Sequence, residues 1–256
     1  MKELLLALPA GRETRGRGFG LTPAHMAYRV GPGPKLLGIR LPPGLRGGLM
    51  QVDCAGFDGA GDPVGCCRQI LGECRRRAFR GIVCDFEGMP AGCLGKMAEI
   101  LDRNCAAQGW TLYVPEGYAS HAPKARVLIP SALTHGTLER RLSTALERYG
   151  KERTALAVEW VREDFLLPAR GRGEPLSREQ LEGQMERLEP AVFFDRGLCA
   201  HYYTYMKGPQ AHFVLFDTPR SIREKLDAAK RLGIAAALLP QPEVEDHLEE
   251  IFGSET

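Results

Sequence analysis

Residues 80–90 read R-G-I-V-C-D-F-E-G-M-P, an apolar stretch that ends in two carboxylates. Alternate side chains of a β-strand share a face, so Val83, Asp85 and Glu87 are predicted to point to the same side. Apart from Asp85, residues 81–86 are apolar or glycine, which is typical of a parallel strand buried on both faces. Parallel α/β folds bind ligands at the carboxyl ends of their strands, so we predict a functional role for Asp85 and Glu87. The alternative is that the two acids only begin a polar loop.

Size and charge limit the kinds of protein that the chain can be. The chain has 256 residues, of which 44% are hydrophobic and 26% are charged, with a formal net charge of +2. That length is enough for one α/β barrel or for two smaller domains. Because no basic stripe is interleaved with aromatic residues, nucleic acid is not expected as a partner.

The first residues and the cysteines give the expected compartment. Residues 4–8, L-L-L-A-L, are too short to cross a membrane and are preceded by a single lysine. We interpret this run as a strand, and we expect a cytoplasmic protein without a membrane partner; a role in a developing spore is compatible with that. The eight cysteines contain no C-x-x-C pair and fall in strand and helix patterns. They are expected to be reduced and buried, and neither a metal site nor a cofactor is predicted.

Helix boundaries carry local signals. Asp62 followed by Pro63 predicts a helix over about residues 63–79. Ser177 forms an S-x-x-Q capping box with Gln180 at the start of another helix. A third helix is predicted over residues 221–232, with Gly233 at the position that a left-handed cap needs.

Strands that alternate with helices predict parallel pairing. Candidate barrel strands begin at residues 4, 35, 49, 81, 111, 126, 154 and 234. This count, with a length near that of typical barrels, predicts one α/β domain over residues 1–256, a (β/α)8 TIM barrel whose fourth strand is the acidic one. Around G-P-G-P at residues 31–34, a hairpin and a loop leading into the second strand are both compatible with the sequence.

The helix–strand alternation breaks in the last third of the chain. Residues 191–195, 200–206 and 211–217 have the pattern of three consecutive short strands. We therefore predict a small α+β insertion after the seventh strand, at about residues 169–217.

Two motifs resemble the family-18 glycoside hydrolases, the chitinase-like barrels that include spore-cortex glucosaminidases. The family's fourth strand carries D-G-x-D-x-D-x-E, and residues 80–87 are similar, with Gly81, Asp85 and Glu87 retained and Arg80 and Val83 in place of two aspartates. Residues 212–226 are similar to the family's H-x-V-W-F-x-D-x-x-S-I-x-x-K-L. The positions that match this second motif are His212, Phe216, Ser221, Ile222, Lys225 and Leu226, and Asp217 stands one position before the motif's aspartate.

The resemblance implies hydrolysis of N-acetylglucosamine-containing glycans of the chitin or peptidoglycan kind. In that family the N-acetyl oxygen of the substrate attacks, so one protein acid is enough for substrate-assisted, retaining cleavage. The resemblance implies Glu87 as the general acid/base. It implies Asp85 as the group that orients the acetamido group and stabilises the intermediate.

Four more residues are candidates for substrate binding. Asp53, Glu116 and Glu159 are placed near the carboxyl ends of strands, where they could assist Asp85 or bind sugar hydroxyls; each is equally compatible with an ordinary surface acid. Tyr113 is an aromatic candidate for stacking on a sugar, with packing in the core as the alternative.

Departures from the family pattern leave other functions open. Val83 cannot exchange a proton with its neighbour, as the family's aspartate does at that position. Residues 129–131 replace a tyrosine and an aspartate that usually end strand six, and Leu239 and Pro240 stand where a tryptophan usually ends strand eight. A sugar-binding or structural protein without turnover is therefore the second hypothesis. The third is an enzyme of another reaction class, which metal-dependent activity would indicate.

Overall fold

The structure is a computed structural model that describes residues 1–38, 41–42, 44–86, 88, 92–133, 136–169 and 171–253. Its strands are β1 (Glu3–Pro9), β2 (Leu21–Gly31), β3 (Lys35–Gly38), β4 (Leu49–Asp53), β5 (Gly81–Asp85), β6 (Thr111–Pro115), β7 (Arg126–Pro130), β8 (Thr154–Ala157), β9 (Arg162–Leu166), β10 (Glu174–Pro175), β11 (Phe193–Asp195), β12 (Ala200–Lys207), β13 (Gln210–Phe216) and β14 (Ala236–Pro240). Its α-helices are α1 (Pro63–Arg76), α2 (Cys93–Gln108), α3 (Leu138–Tyr149), α4 (Arg178–Leu188), α5 (Pro219–Arg231), α6 (Gln241–Val244) and α7 (Leu248–Phe252).

Eight parallel strands close into a barrel. Their order around the ring is β1, β2, β4, β5, β6, β7, β8 and β14, and β14 pairs again with β1. Each strand contributes one residue to an apolar cluster inside the ring, which consists of Leu5, Ala24, Leu49, Val83, Tyr113, Leu128, Ala155 and Ala236. Layers of inward side chains from successive strands are how a TIM barrel fills its interior. The predicted barrel is confirmed, and β5 is its fourth strand.

The second barrel strand differs from the predicted one. β2 pairs in parallel with β1 and β4, whereas β3 pairs antiparallel with the end of β2 and forms a hairpin outside the ring. The prediction of a barrel strand beginning at residue 35 is therefore wrong, and the hairpin alternative is correct. The sequence does not predict β2 as a barrel strand because it contains Pro23, and proline normally argues against a central strand. The ladder between β2 and β4 begins only at Ala24, one residue after this proline.

Local capping explains where the helices begin. The side chain of Asp62 accepts a hydrogen bond from the Val64 amide at 3.2 Å, and the predicted capping box of α4 is present. Helix α5 begins two residues before the predicted start, because Thr218 forms a second capping box with Ser221. The predicted left-handed residue after this helix is Gly233, with φ of +79°.

The apolar face of β5 that points away from the barrel interior packs under the helices. Ile82, Cys84 and Phe86 belong to an apolar cluster that also includes residues of α1 and α2, whereas Val83 lies inside the ring. This is the division of faces that strand alternation predicts. None of the eight cysteines forms a disulfide, and their predicted burial is confirmed.

The predicted insertion after β8 contains a five-stranded antiparallel sheet, in which β11, β12 and β13 are the three predicted strands and β9 and β10 are additional. Its order is β10, β9, β13, β12, β11, and α4 packs on one face of it. The sheet begins with β9, before the predicted boundary at residue 169. The sequence R-E-D-F-L of β9 is mostly charged, and its polar groups have partners far away in the chain. Arg162 donates to Glu243 at 2.8 Å, and Asp164 accepts from the Tyr205 hydroxyl at 2.7 Å.

The buried histidine of β2 predicts a loss of stability in acid. His25 is 3% exposed, and its Nε2 atom has no hydrogen-bond partner among the described residues. Burial lowers the pKa of His25 below its ordinary value, and Arg17 and Arg77 add to that lowering. Below about pH 6.5 the unfolded chain therefore binds a proton that the folded chain does not, so the free energy of unfolding falls as the pH falls. We expect His25→Leu to lose less stability than the wild type between about pH 7.5 and about pH 5, measured by urea denaturation. An equal loss in both proteins would contradict this assignment.

Candidate active site

Asp85 lies at the carboxyl-terminal mouth of the barrel, the end at which the eight parallel strands finish. It is the exposed last residue of β5, on the same side of the strand as Val83. On the neighbouring strand, Gln51 is level with Val83, two residues after the inward-facing Leu49. Gln51 is 5% exposed, and its amide Nε2 donates to Asp85 Oδ2 at 3.0 Å. A buried amide thus holds an exposed carboxylate at the mouth.

The predicted general acid, Glu87, lies outside the described residues. The residue before it, Phe86, directly follows β5 and is described. Its buried ring contacts Tyr118 edge-on at a centroid distance of 5.5 Å. The role of Glu87 therefore stays a prediction from the sequence.

Asp53 is brought next to Asp85. The two acids are paired in the register of β4 and β5, each at the end of its strand. Arg29 of β2 donates from Nε to Asp53 Oδ1 at 2.7 Å, and both side chains are solvent-exposed. Among the described residues, the adjacent strands β2, β4 and β5 therefore place one guanidinium and two carboxylates at the mouth.

Tyr113 is buried in the interior of the barrel. It is 0% exposed inside the barrel, where its hydroxyl donates to Glu3 Oε2 at 2.8 Å and accepts from Arg126 Nη1 at 2.7 Å. Glu3 is the first residue of β1, so this hydroxyl faces the amino-terminal end of the barrel, opposite to the mouth. Burial raises the pKa of the Tyr113 hydroxyl above its ordinary value. The expectation that Tyr113 stacks on a sugar is corrected, and the core-packing alternative describes it.

Glu116 is occupied by the helix layer. It lies just after β6, forms an ion pair with Arg141 of α3 and accepts from the Tyr149 hydroxyl at 3.3 Å. Both partners are on the outer helix, so the carboxylate is held there instead of at the mouth. These partners favour the alternative of an ordinary loop acid for Glu116 over substrate binding. The position of a strand end in the sequence does not reveal such a tertiary partner.

Glu159 joins two loops at the mouth and follows β8, three strands around the ring from the strand of Asp85. Its Oε2 accepts from the Ala132 amide at 2.8 Å, and its own amide donates to Ser131 Oγ at 2.9 Å. These bonds clamp the segments that follow β7 and β8. Glu159 also lines a cavity of about 300 Å³ together with Arg162 and Arg172 of the insertion.

The insertion contributes aromatic residues that the sequence did not single out. Phe193, Tyr202, Phe213 and Phe165 lie on four neighbouring strands, and successive ring centroids are 5.6, 5.3 and 6.1 Å apart. We call these four rings the aromatic wall. Phe165 and Phe213 line a cavity of about 450 Å³ beside the segment after β7, and Phe165 also lines the cavity of Glu159. The two cavities share Leu133 and Phe165 in their linings and together form a groove from the mouth along the insertion, charged near Glu159 and apolar beside the aromatic wall.

The described part of the chain contains neither a metal-ligand cluster nor a membrane-spanning helix. No three His, Cys, Asp or Glu side chains there are placed to hold a metal ion together. None of the helices within the described ranges has both the length and the hydropathy needed to cross a bilayer.

Comparison with solved structures identifies the fold. No family model matches the sequence, and no curated protein is similar to it in sequence. A mutant class V chitinase from Nicotiana tobaccum, solved in complex with NAG4, superposes with a TM-score of 0.71 at 8% identity, covering 98% of this chain and 97% of that one. The chain has the chitinase fold.

Bacterial chitinase-fold proteins are also similar. Chitinase from Chromobacterium violaceum gives a TM-score of 0.70 at 16% identity, covering 99% of this chain and 98% of that one. The spore cortex-lytic enzyme SleL of Bacillus megaterium gives 0.67 at 15% identity, covering 98% of this chain and 74% of that one. These are the two kinds of protein that the sequence motifs resemble. The chitinase fold predicted from those motifs is thereby confirmed.

Proposed function

We propose that the protein is a glycoside hydrolase acting on N-acetylglucosamine-containing glycans of the chitin or peptidoglycan kind. The observation that carries the proposal is Asp85, exposed at the mouth of a chitinase-fold barrel and bonded to the buried amide of Gln51. It stands where the strand-four motif keeps a carboxylate. The NAG4 complex of the tobacco neighbour and the cortex-lytic description of SleL support this class of substrate.

In the proposed reaction the substrate supplies the nucleophile. The carbonyl oxygen of the acetamido group forms a bond to the anomeric carbon while the glycosidic bond breaks, and Glu87 gives its proton to the leaving oxygen. Positive charge then develops on the cyclic intermediate, and the carboxylate of Asp85 stabilises it. Water then attacks the anomeric carbon while the bond to the acetamido oxygen breaks, and Glu87 takes a proton from that water. The two successive inversions retain the configuration.

The groove beside the aromatic wall is the proposed path of the glycan. Aromatic rings suit the apolar C–H face of a pyranose, and Phe165 and Phe213 line the groove. Glu159 and Arg172 line its end near the mouth, where they can hydrogen-bond sugar hydroxyls. Phe213→Ala is expected to weaken oligosaccharide binding by about 1–3 kcal/mol through loss of apolar contact, measured by calorimetry. Phe252→Ala, at the end of α7 and away from the groove, is its control.

Hydrolysis by the wild type and by Asp85→Asn tests the proposal. We expect the wild type to release shorter saccharides from chitooligosaccharides or peptidoglycan fragments, detected by mass spectrometry. Asp85→Asn should lower kcat/KM by about 100-fold, since an amide does not carry the charge that stabilises the intermediate. Asp227→Asn, an exposed position on α5, makes the same chemical change away from the site and should leave the rate unchanged. Equal rates for wild type and Asp85→Asn would disprove the role of Asp85.

A sugar-binding protein without turnover is the second candidate. Val83 is 1% exposed inside the barrel, so the position of the family's proton-exchanging aspartate is an apolar core position. Thermal stabilisation of the wild type by a chitooligosaccharide, with no product formed over days, would favour this candidate over the hydrolase.

A further inference from the structure

Gln51 is an unusual residue for the interior of this barrel. It is buried on the strand L-M-Q-V-D, level with Val83, where the interior is apolar. Burying an amide is unfavourable unless its polar atoms are hydrogen-bonded. The Nε2 atom of Gln51 meets Asp85, but its Oε1 atom has no hydrogen-bond partner among the described residues. The contact with Asp85 is therefore the interaction that accounts for an amide at this position.

The orientation of this amide depends on the charge of Asp85. With Nε2 toward Asp85 Oδ2, an N–H donor meets an ionised acceptor, which is the stronger class of hydrogen bond. The flipped amide would set Oε1 against a carboxylate oxygen, two acceptors with no proton between them. Unlike a carboxyl group, an amide has no proton that it can lend or take up near neutral pH.

We propose that Gln51 is a positioning residue that substitutes for the aspartate missing at Val83. It fixes one oxygen of Asp85 and keeps this side chain an anion through the whole reaction. Asp85 then stabilises the positive intermediate without exchanging a proton with Gln51, whose amide has none to exchange. The catalytic consequence rests on the proposed function, whereas the hold on Asp85 does not.

The hold on Asp85 is tested without substrate. Carbon-13 NMR follows the carboxyl carbons of labelled protein from about pH 7 to about pH 3, and the Asp85 signal is the one lost in Asp85→Asn. We expect the wild-type signal to move at a pH about one to two units lower than in Gln51→Leu, because hydrogen bonds to charged groups favour the charged form by about that amount. Movement at the same pH in both proteins would overturn the proposal.

Kinetics test the consequence for catalysis. Gln51→Leu should lower kcat by about 10- to 100-fold and leave KM within about twofold, since the bond acts on the charge that stabilises the intermediate. Gln51→Glu should be active in acid, where its protonated carboxyl can donate to Asp85, and lose activity as the pH rises and two anions face each other. The wild type should not lose activity in this way as the pH rises. If Gln51 had only a structural role, Gln51→Glu would not show this pH-dependent loss either.

Controls and outcomes separate the two proposals. Gln69→Leu removes an exposed amide of α1 and should keep the wild-type kcat. If the wild type cleaves no glycan but the Asp85 signal differs between wild type and Gln51→Leu, the proposed function fails and the hold on Asp85 stands. If the wild type is active while Gln51→Leu keeps its kcat and the signal is unchanged, the inference about Gln51 fails and the proposed function stands.

Discussion

Lys225→Met is expected to lower the free energy of unfolding by about 3–5 kcal/mol. The Lys225 side chain is 1% exposed, and its Nζ donates to Asp217 Oδ2 at 2.5 Å and to the Glu159 carbonyl at 3.2 Å. Without this lysine, the Asp217 carboxylate is left inside the protein without its opposite charge. Urea denaturation followed by circular dichroism at about pH 7 measures the loss.

The pH dependence of this loss adds a second check. Burial raises the pKa of the Asp217 carboxyl, and Lys225 opposes that effect. Lys225→Met removes the positive charge that lowers the pKa of Asp217, so this carboxylate takes up a proton more readily in the folded state. The variant should therefore be less impaired in acid, and its deficit against the wild type should grow as the pH rises.

Two further variants make the test specific. Lys230→Met removes an exposed lysine near the end of the same helix and should change stability by no more than about 0.5 kcal/mol. Combining Asp217→Asn with Lys225→Met removes both charges, and we expect this double variant to recover part of the stability lost in Lys225→Met. A loss below about 1 kcal/mol in Lys225→Met would mean that the ion pair does not stabilise the fold.

The Asp217–Lys225 pair also gives the second sequence motif a physical meaning. Asp217 Oδ2 accepts from the Val161 amide at 2.8 Å, and the Asp217 amide donates to the Val161 carbonyl at 2.8 Å. Val161 precedes β9 and Asp217 follows β13, so these bonds join the two ends of the insertion. Lys225 adds helix α5 to the junction. The residues by which this motif resembles a glycosidase family therefore include those that attach the insertion to the barrel.

The barrel was predictable because its signals are local. Apolar strands alternate with capped helices, and each cap acts within one turn of its own helix, as Asp62 does for α1. The elements that escaped prediction depend on distant partners. Strand β2 contains Pro23, but strands on both sides pair with it and bury it. Strand β9 is mostly charged, but its Asp164 forms hydrogen bonds with Tyr205 and His212. No local pattern contains those partners.

The candidate site was predictable only in part for the same reason. Strand alternation places Asp85 at the mouth, and this needs nothing beyond its own strand. Gln51 stands out in the sequence only as one polar residue in an apolar strand. Linking it to Asp85 requires the register between β4 and β5. Tyr113, in the middle of β6, and Glu116, just after that strand, show the converse, since both are taken by tertiary partners.

Glu87→Gln is expected to lower kcat/KM for chitooligosaccharides by about 10²–10⁴-fold, the usual contribution of a general acid. Glutamine has nearly the same size but no proton to give to the leaving oxygen. The rate of product release is measured by mass spectrometry, with binding measured separately by calorimetry. Glu147→Gln, an exposed position on α3, is the matched control and should keep the wild-type rate.

The leaving group distinguishes a proton donor from a residue that only binds substrate. A nitrophenyl glycoside departs as a stable phenolate that needs little protonation, whereas a sugar alcohol departs only with a proton. If Glu87 is the general acid, Glu87→Gln should lose much less activity on the nitrophenyl substrate than on the oligosaccharide. An equal loss on both substrates would mean that Glu87 acts on binding or on the fold instead. If wild type and Glu87→Gln bind the oligosaccharide equally and neither cleaves either substrate, the chain is a sugar-binding protein that has kept the fold and lost the reaction.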